Sequence, residues 1–476
     1  EIKMSKKTIS LKESFSLTEK EYQHLYRKHI NPGLLSIYRI LGFTKMDIES
    51  AQGLKMNMKD GKTVLDFTSG IGVLGLGHNH PQIVKAEQLC HQLKTIDVQK
   101  FGINRLQSVL AYNISQVLPE PLDTSFFTVS GAEAIEAGIK LITRIQPKFK
   151  EYFITFSEDY HGKTHGALSF SDSENFASGF HTGIPKKNVI IVEPGNLEAL
   201  KNAIQAKTFD KNKNAIAGVI MEPIQGQTLE IHPKGYLKEV RNLCKENDIL
   251  LLIDEIKVGM GRTGKLFSFL EENLVPDILT ISKALGGGKR AIGVMVTSAK
   301  LSKKAYGKRK DSALHSTTFG GLGESCAVAI EALNIISDQK FLDNVQEQGS
   351  YFLEQLKKLK EKYPKHIQTI VGKGLYLGII FNFSSYEKSL KLLRIPFIND
   401  MRVVLMGSIV RCLYRKYGLL THFTAPRPEM LVIMPPLIIE KEQIDYFIES
   451  VDKTIELGFT RLFGKFLVGN TKNLMG

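Results

Sequence analysis

Between about residues 120 and 300, short apolar runs rich in β-branched and aromatic residues alternate with stretches of helical periodicity. This alternation restricts the fold more than any other feature, because strands separated by helices pair mainly in parallel and are covered on both faces. The runs are FFTV (126–129), YFITF (152–156), VIIV (189–192), AGVIM (217–221), ILLLID (249–254) and DILTIS (277–282). The sequence therefore predicts an α/β fold built on a mainly parallel sheet.

The regions on both sides of this stretch predict a smaller second domain. GLKMNMKDGKTVLDF (53–67) has two extended runs around Asp60-Gly61, a pair suited to a tight hairpin turn. Beyond residue 325, a long helical stretch precedes two strand candidates and a terminal helix from about residue 441. We therefore expect a large domain over residues 66–325 and a small domain formed by residues 1–65 and 326–476.

Polar residues follow four of the predicted strands. Ligands of open parallel sheets bind at the carboxyl ends of the strands, so residues at these ends are the first candidates for chemistry. Burying an acid and a lysine there is unfavourable unless the charges are paired or used. The four signals are Ser130-Gly131-Ala132, Glu222, Asp254 and Lys283.

GMGRTGK (259–265) matches two nucleotide-binding patterns but fits neither. A dinucleotide loop should directly follow a strand, yet residues 255–258 intervene after the run that ends at Asp254. A triphosphate loop needs Ser or Thr after its lysine, and Leu266 follows Lys265. The segment is interpreted instead as a glycine-rich turn near the site.

Composition and charge predict neither a membrane protein nor a nucleic-acid binder. No stretch approaches the roughly 18 to 20 apolar residues of a membrane span, and the polar N-terminal segment lacks the apolar core of a secretory signal. The net charge is +14, but the lysines of KKLKEKYPK (357–365) fall on the wet face of an amphipathic helix pattern. The four cysteines are widely spaced, which predicts reduced thiols, no metal site and a cytoplasmic protein.

Asp254 and Lys283 suit the chemistry of pyridoxal 5′-phosphate. That cofactor needs a lysine amine to hold its aldehyde as a Schiff base and an acid that keeps its ring nitrogen protonated. The same lysine, once displaced by an incoming amine, is placed to act as general acid and base. Ser130 to Ala132 begin an apparent helix, whose backbone N–H groups would provide a phosphate site.

The motifs make the chain resemble the class III aminotransferases, which are pyridoxal phosphate enzymes of fold type I with a seven-stranded large domain. The resemblance spans residues 53 to 450 and rests on GLGHNHPQIVKA (75–86), SGAEAIEAGIKL (130–141), YHGKTHGALS (160–169), EPIQG (222–226), LLLIDEIKVGMGRTGK (250–265), ISKALGGG (281–288), HSTTFGG (315–321) and MPPL (434–437).

The resemblance also implies residue roles. Lys283 would form the Schiff base and Asp254 would contact the ring nitrogen, with Tyr160 stacked on the ring. Gly131 and Ala132 would hold the phosphate from one subunit. The remaining implied roles are support of Asp254 by Glu222, a structural role for Arg262, and a phosphate contact from Thr318 of the other subunit of a homodimer.

Three positions depart from the family pattern and bear on the substrate. Lys257 replaces the usual Gln beside the cofactor's phenolic oxygen, Gln227 replaces a Glu, and Val432 stands where members that bind α-carboxylates have Arg. Loss of the last two argues against recognition of an α-carboxylate by that pair. Ile71 and Val73 would suit an apolar substrate, whereas Arg427 would offer another carboxylate contact.

These observations predict an aminotransferase that moves an amino group between a terminal amine or ω-amino compound, or the corresponding aldehyde, and a keto acid such as pyruvate or 2-oxoglutarate. Two alternatives stay open at this point. One is an aminomutase, racemase or decarboxylase of the same fold, and the other is a non-catalytic binding module.

Overall fold

The computed structural model describes residues 8–171, 174–209, 213–386 and 400–474. A seven-stranded sheet forms its centre, with its strands in the spatial order Thr124–Thr128, Gly293–Thr297, Ile278–Ile281, Leu250–Asp254, Ile216–Met221, Tyr152–Phe156 and Val189–Val192. The six runs named from the sequence all form strands of this sheet. The seventh strand, Gly293–Thr297, is antiparallel to both neighbours, and the other four pairings are parallel.

Two smaller sheets come from both ends of the chain. The predicted hairpin forms around Asp60-Gly61, within a sheet made of Ile48–Gln52, Lys55–Met58, Thr63–Asp66 and Leu419–Leu420. The other small sheet consists of Ile367–Lys373, Tyr376–Phe381, Met430–Ile433 and His422–Phe423. A two-stranded ribbon joins Thr208–Phe209 and Lys213–Asn214.

The α-helices that the structure describes surround these sheets. They are Leu11–Ser14, Glu19–His29, Pro32–Leu41, Ser69–Gly72, Pro81–Gln92, Arg105–Gln116, Gly131–Ile145, His165–Leu168, Glu174–Ala177, Leu197–Gln205, Tyr236–Glu246, Ala299–Tyr306, Gly323–Ser337, Gln339–Lys362, Met401–Tyr417, Lys441–Glu456 and Phe459–Leu474. Short 3₁₀ helices occur at Phe43–Lys45, Lys186–Asn188, Ser268–Glu272 and Lys283–Gly286. None of the described helices is both long enough and apolar enough to cross a membrane.

Apolar side chains form separate clusters around the sheets. Two clusters cover the central sheet, and one of them contains the buried face of the helix Gly131–Ile145. A third cluster joins residues from both chain ends, such as Phe67 and Phe447, whose rings lie 4.5 Å apart. The helix Gly323–Ser337 spans the expected domain boundary at residue 325 and packs its buried face into a cluster of the central sheet. The domain boundaries themselves stay predictions.

Candidate active site

A cavity of about 520 Å³ opens at the carboxyl ends of the central strands. Parallel strands bring their ends to one edge, so residues distant in sequence meet there. Nine of the residues singled out from the sequence line this cavity: Ile71, Gly131, Ala132, Tyr160, Glu222, Gln227, Asp254, Lys257 and Lys283.

One wall of the cavity is the start of the helix Gly131–Ile145. Ser130 caps this helix, and its Oγ accepts a hydrogen bond from the backbone N–H of Glu133 at 3.2 Å. The first N–H groups of a helix lack partners within the helix, which gives this wall the donors that an anion requires. Gly162 comes so close that a Cβ there would lie 2.6 Å from that of Ala132, so only glycine permits this approach.

Lys283 extends into the cavity from the turn after the strand Ile278–Ile281. Its φ of 45° lies in the left-handed region, which costs a residue with a Cβ about 1 to 2 kcal/mol. Burial lowers the pKa of its amine, and the nearby carboxylates of Asp254 and Glu222 oppose this only in part. The amine of Lys283 is therefore neutral and nucleophilic more often than the amine of a surface lysine.

Asp254 ends its strand on the floor of the cavity and is held by three neighbours. Its Oδ1 accepts hydrogen bonds from the backbone N–H of Ile256 at 2.9 Å and from the hydroxyl of Thr280 at 3.4 Å. Its Oδ2 lies 2.8 Å from Nδ1 of His161. These contacts fix both carboxylate oxygens.

His161 lies between two carboxylates, with Nε2 3.7 Å from Oδ2 of Asp159. Burial alone would lower the pKa of His161, but its interactions with Asp159 and Asp254 outweigh burial and raise the pKa to about 10. The imidazole is therefore protonated at neutral pH and lies between the two carboxyl groups.

Glu222 lines the cavity and holds two backbone segments in place. Its Oε2 accepts a hydrogen bond from the N–H of Tyr160 at 2.9 Å, and its Oε1 accepts one from the N–H of Gly226 at 3.1 Å. Burial, followed by the charge of Asp159, raises the pKa of Glu222 to about 8. The ring of Tyr160 contacts Phe176 edge-on, with centroids 5.1 Å apart.

Lys257 is buried and anchors the segment that carries Gln227. Its Nζ donates to the carbonyl oxygen of Gly226, which also accepts the hydroxyl of Tyr376 at 2.7 Å. A Cβ on Gly226 would lie 2.6 Å from Oε1 of Glu222, so glycine is needed for this packing. Burial and the charge of Lys283 lower the pKa of Lys257 to about 7.

The other residues singled out from the sequence lie outside the lining of this cavity. Val432 is fully buried in the strand Met430–Ile433 and packs with Ile224 and its neighbours. Arg427 donates to the carbonyl oxygen of Thr228 at 2.9 Å, and Val73 is half-buried. Thr318 is exposed and lines a second cavity of about 400 Å³.

Arg262 has structural contacts, in agreement with its interpretation as a structural residue. It is buried, and its Nη1 donates to the carbonyl oxygens of Leu375, at 3.1 Å, and Pro435. The turn that contains Arg262 thus contacts the backbone beside two strands of the C-terminal sheet, Tyr376–Phe381 and Met430–Ile433.

Residues 422–425 also line the cavity, although no role for them was predicted from the sequence. Neither ring nitrogen of His422 has a hydrogen-bond partner among the described residues. Burial, together with the charge of Lys257, lowers the pKa of His422 to about 3, so its ring is neutral. The hydroxyl of Thr424 donates to the carbonyl oxygen of Gln227 at 2.8 Å. None of the motifs singled out from the sequence covers residues 422–425, so only the structure places them in the cavity.

This geometry agrees with the needs of pyridoxal phosphate. The cavity combines a helix N-terminus for a phosphate, a lysine amine with a lowered pKa, a fixed carboxylate and an aromatic ring. The donor set therefore fits the cofactor.

Comparison with known proteins gives one family and a common fold. A family model described as aminotransferase class-III matches residues 41–455. The chain is similar to the ornithine aminotransferase of Toxoplasma gondii, with 24% identity, 97% of this chain and 98% of that chain covered, and a TM-score of 0.77. It is also similar to an (S)-enantioselective ω-transaminase of Thermomicrobium roseum, with 24% identity, coverages of 92% and 98%, and a TM-score of 0.80. The N-acetylornithine aminotransferase of Stenotrophomonas maltophilia K279a is 26% identical, with coverages of 87% and 96% and a TM-score of 0.68.

Proposed function

Because the chain belongs to the class III aminotransferase family, whose members use pyridoxal 5′-phosphate, we propose that it moves an amino group between a terminal amine or ω-amino compound, or the corresponding aldehyde, and a keto acid such as pyruvate or 2-oxoglutarate. The observation that carries this proposal is the meeting of Lys283 and Asp254 in one cavity at the strand ends. We further propose that the protein works in the cytoplasm.

We assign roles to the residues of the cavity. When bound, pyridoxal phosphate supplies an aldehyde that bonds to amines and a ring that withdraws electrons from the reacting carbon. Lys283 would hold the cofactor covalently and, once released, would move the proton of the substrate carbon. Asp254 would pair with the ring nitrogen, and Tyr160 would stack on the ring. Ser130, Gly131 and Ala132 would hold the phosphate.

The charges around the cavity support a donor without a carboxylate beside its reacting amine. No arginine lines the cavity among the residues that the structure describes. Arg427 is instead engaged with Thr228 and, at 3.6 Å, with Glu230. Gln227 is uncharged, and Ile71 adds apolar surface. An amine donor with a carboxylate close to its reacting carbon would therefore lack a bidentate partner. The carboxylate of the keto acid would instead have to meet a single cation of the lining, such as Lys163.

Exposed apolar side chains support a homodimer whose subunits share their active sites. Phe101 and Ile103 are 92% and 85% exposed, and Leu93 and Tyr112 are 66% and 63% exposed. All four lie within residues 93–112, and apolar side chains that are exposed together mark interaction sites. The segment that contains Phe101 contacts the one that contains Thr318, because Nζ of Lys100 donates to the carbonyl oxygen of Thr317 at 2.7 Å. We propose that Thr318 contacts the cofactor phosphate of the other subunit.

Borohydride reduction tests the cofactor attachment. The purified protein, saturated with pyridoxal phosphate, is reduced and digested, and mass spectrometry then locates the adduct. We expect the adduct on the peptide that contains Lys283 and no adduct in Lys283→Ala. An adduct on Lys257 in the wild-type protein would contradict the assignment.

A panel of diamines, ω-amino acids and long-chain aldehydes tests the reaction and the substrate class. Net transfer converts the cofactor to pyridoxamine phosphate after one half-reaction, which its absorbance reports. A racemase, aminomutase or decarboxylase would normally leave the cofactor in its starting form. If α-amino acids were the only donors, the proposed substrate class would be wrong.

A further inference from the structure

A separate cleft lies between the helices Met401–Tyr417 and Phe459–Leu474, and it shares no lining residue with the active-site cavity. Its volume is about 310 Å³, which is in the size range of small-molecule sites. Five of its lining residues are cationic: Arg411, Arg415, Lys416, Arg461 and Lys465. No carboxylate lines the cleft within the part of the chain that the structure describes.

The cations repel one another in the absence of a partner. Arg411 and Arg415 are four residues apart on one helix, as are Arg461 and Lys465 on the other, and like charges at this spacing destabilise a helix. Burial and the charge of Arg415 lower the pKa of Arg411. Burial raises the pKa of the Cys412 thiol, whereas its hydrogen bond to Thr454 and the charges of Lys416 and Lys465 oppose this in part.

Arg411 is already fixed in place by the protein. Its Nη1 donates to the carbonyl oxygen of Ile40 at 2.6 Å and to Oδ1 of Asn470 at 3.0 Å. Its guanidinium lies 6.0 Å from the centroid of the Phe466 ring. Arg415, Lys416, Arg461 and Lys465 line the same cleft, and none of the four forms a salt bridge with a carboxylate among the described residues.

The floor of the cleft is apolar. Leu462 and Phe466 are 5% and 4% exposed, and Leu457 and Cys412 complete the floor. Several cations that have no carboxylate partner within the described part of the chain lie above an apolar floor. This combination suits a ligand that has both a multiply charged anionic group and a hydrocarbon part.

We propose that this cleft binds a small organic phosphate whose anionic group contacts the arginines and lysines and whose apolar part rests on Leu462 and Phe466. The ligand would neutralise the repulsion between the two helices and join the N-terminal helix Pro32–Leu41 to them through Arg411. It would be either a soluble phosphate ester or the headgroup of a phospholipid, because both offer the same chemistry to the cleft.

Isothermal titration calorimetry of the cofactor-saturated enzyme tests the proposal, because bound cofactor keeps the added phosphate out of the active site. The probes are inorganic pyrophosphate and dihexanoyl phosphatidic acid. We expect one saturable site per chain, with tighter binding of the lipid-like probe and weaker binding at higher salt. In the double variant Arg415→Gln/Arg461→Gln, affinity should fall at least about tenfold.

The matched control is Lys303→Gln/Lys304→Gln, which removes the same charge from two exposed lysines of another helix and should leave affinity unchanged. Thermal unfolding verifies that both variants fold. The absence of saturable binding of either probe, or an equal loss in both variants, would overturn the proposal.

Vesicles of phosphatidylcholine with and without phosphatidic acid distinguish the two sources of the ligand. Binding of the soluble probe without binding to vesicles identifies a soluble phosphate, whereas vesicle binding that the Arg415→Gln/Arg461→Gln variant loses identifies a lipid headgroup. Vesicle binding that both variants retain would place the interaction outside the cleft and contradict the proposal.

Discussion

Nδ1 of His161 lies 2.8 Å from Oδ2 of Asp254, and both side chains are buried. Asp159 approaches the same imidazole from its other nitrogen, at 3.7 Å. The carboxyl group that faces the cavity is therefore one member of a buried Asp–His–Asp row. These contacts fix the orientation of Asp254, as the role of ring-nitrogen partner requires.

Asp254→Asn should abolish most of the activity while leaving the fold intact. The substitution keeps the shape of the side chain but removes the charge that we assign to the ring nitrogen. We expect kcat to fall by at least about 10²-fold, as measured in the half-reaction with the best amine donor. Asp277→Asn is the matched control, since Asp277 pairs with Arg241 at 2.6 Å outside the cavity. Its kcat should stay unchanged, and an equal loss in both variants would disprove the role of Asp254.

His161→Asn should destabilise the protein in a manner that depends on pH. The pKa of His161 is raised from 6.5 to about 10, so the folded state holds this proton more tightly than the unfolded state. The resulting stabilisation is complete below pH 6.5 and is lost as the pH rises toward 10. In urea unfolding of the cofactor-free protein, we expect the variant to be less stable by about 3 kcal/mol at pH 6. The difference should shrink by pH 10, and a difference independent of pH would indicate a packing role alone.

Lys257→Met should have the opposite effect. Burial and the charge of Lys283 lower the pKa of Lys257 from 10.5 to about 7. The charged amine therefore reduces stability below pH 7, and this penalty is relieved as the pH rises toward 10.5. We expect the variant to be more stable than the wild-type protein by about 1 to 2 kcal/mol at pH 6, with the gain vanishing near pH 10. The hydroxyl of Tyr376 still satisfies the Gly226 carbonyl in the variant.

The control for this experiment is Lys163→Met, which also changes a lysine of the cavity but one that is exposed. Its stability difference from the wild-type protein should not vary over the same pH range. If both variants gave the same pH profile, burial of Lys257 would not be the cause.

Phe101→Glu should break the proposed dimer. This side chain is 92% exposed in the single chain, and a charge there would have to be desolvated within an interface. We expect analytical ultracentrifugation to show monomers with little activity and a weaker hold on the cofactor. Leu11→Glu provides the control, because Leu11 is 76% exposed in the N-terminal region. If the Phe101→Glu variant stayed dimeric, the interface would not include Phe101 and the proposed location would be wrong.

The sequence predicted the architecture and the cofactor because strand ends and turns impose local requirements. The sequence predicted that Asp254 and Lys283 share one site, because both lie at the ends of buried runs that belong to the same sheet. The strand Gly293–Thr297 was not predicted, because the pattern of GVMVT is the same as that of any short buried segment. Its antiparallel direction depends on the neighbouring strands, which are distant in sequence in one case.

Contacts across long sequence separations set the surroundings of Lys257 and His422, and no local pattern predicts them. Lys257 meets Tyr376 through the carbonyl oxygen of Gly226, and the three residues lie in different segments. Neither ring nitrogen of His422 has a hydrogen-bond partner among the residues that the structure describes, and this too depends on tertiary packing. The domain boundaries and the roles of the cavity residues stay predictions.

At Lys283, the features that the proposed reaction requires lower the stability of the folded protein. A left-handed φ of 45° and a buried amine are both unfavourable for folding. Asparagine tolerates this conformation and carries no ionisable group. An inactive Lys283→Asn protein should therefore withstand heat better than the cofactor-free wild-type protein, so screening this enzyme for thermostability alone would select against its own reaction.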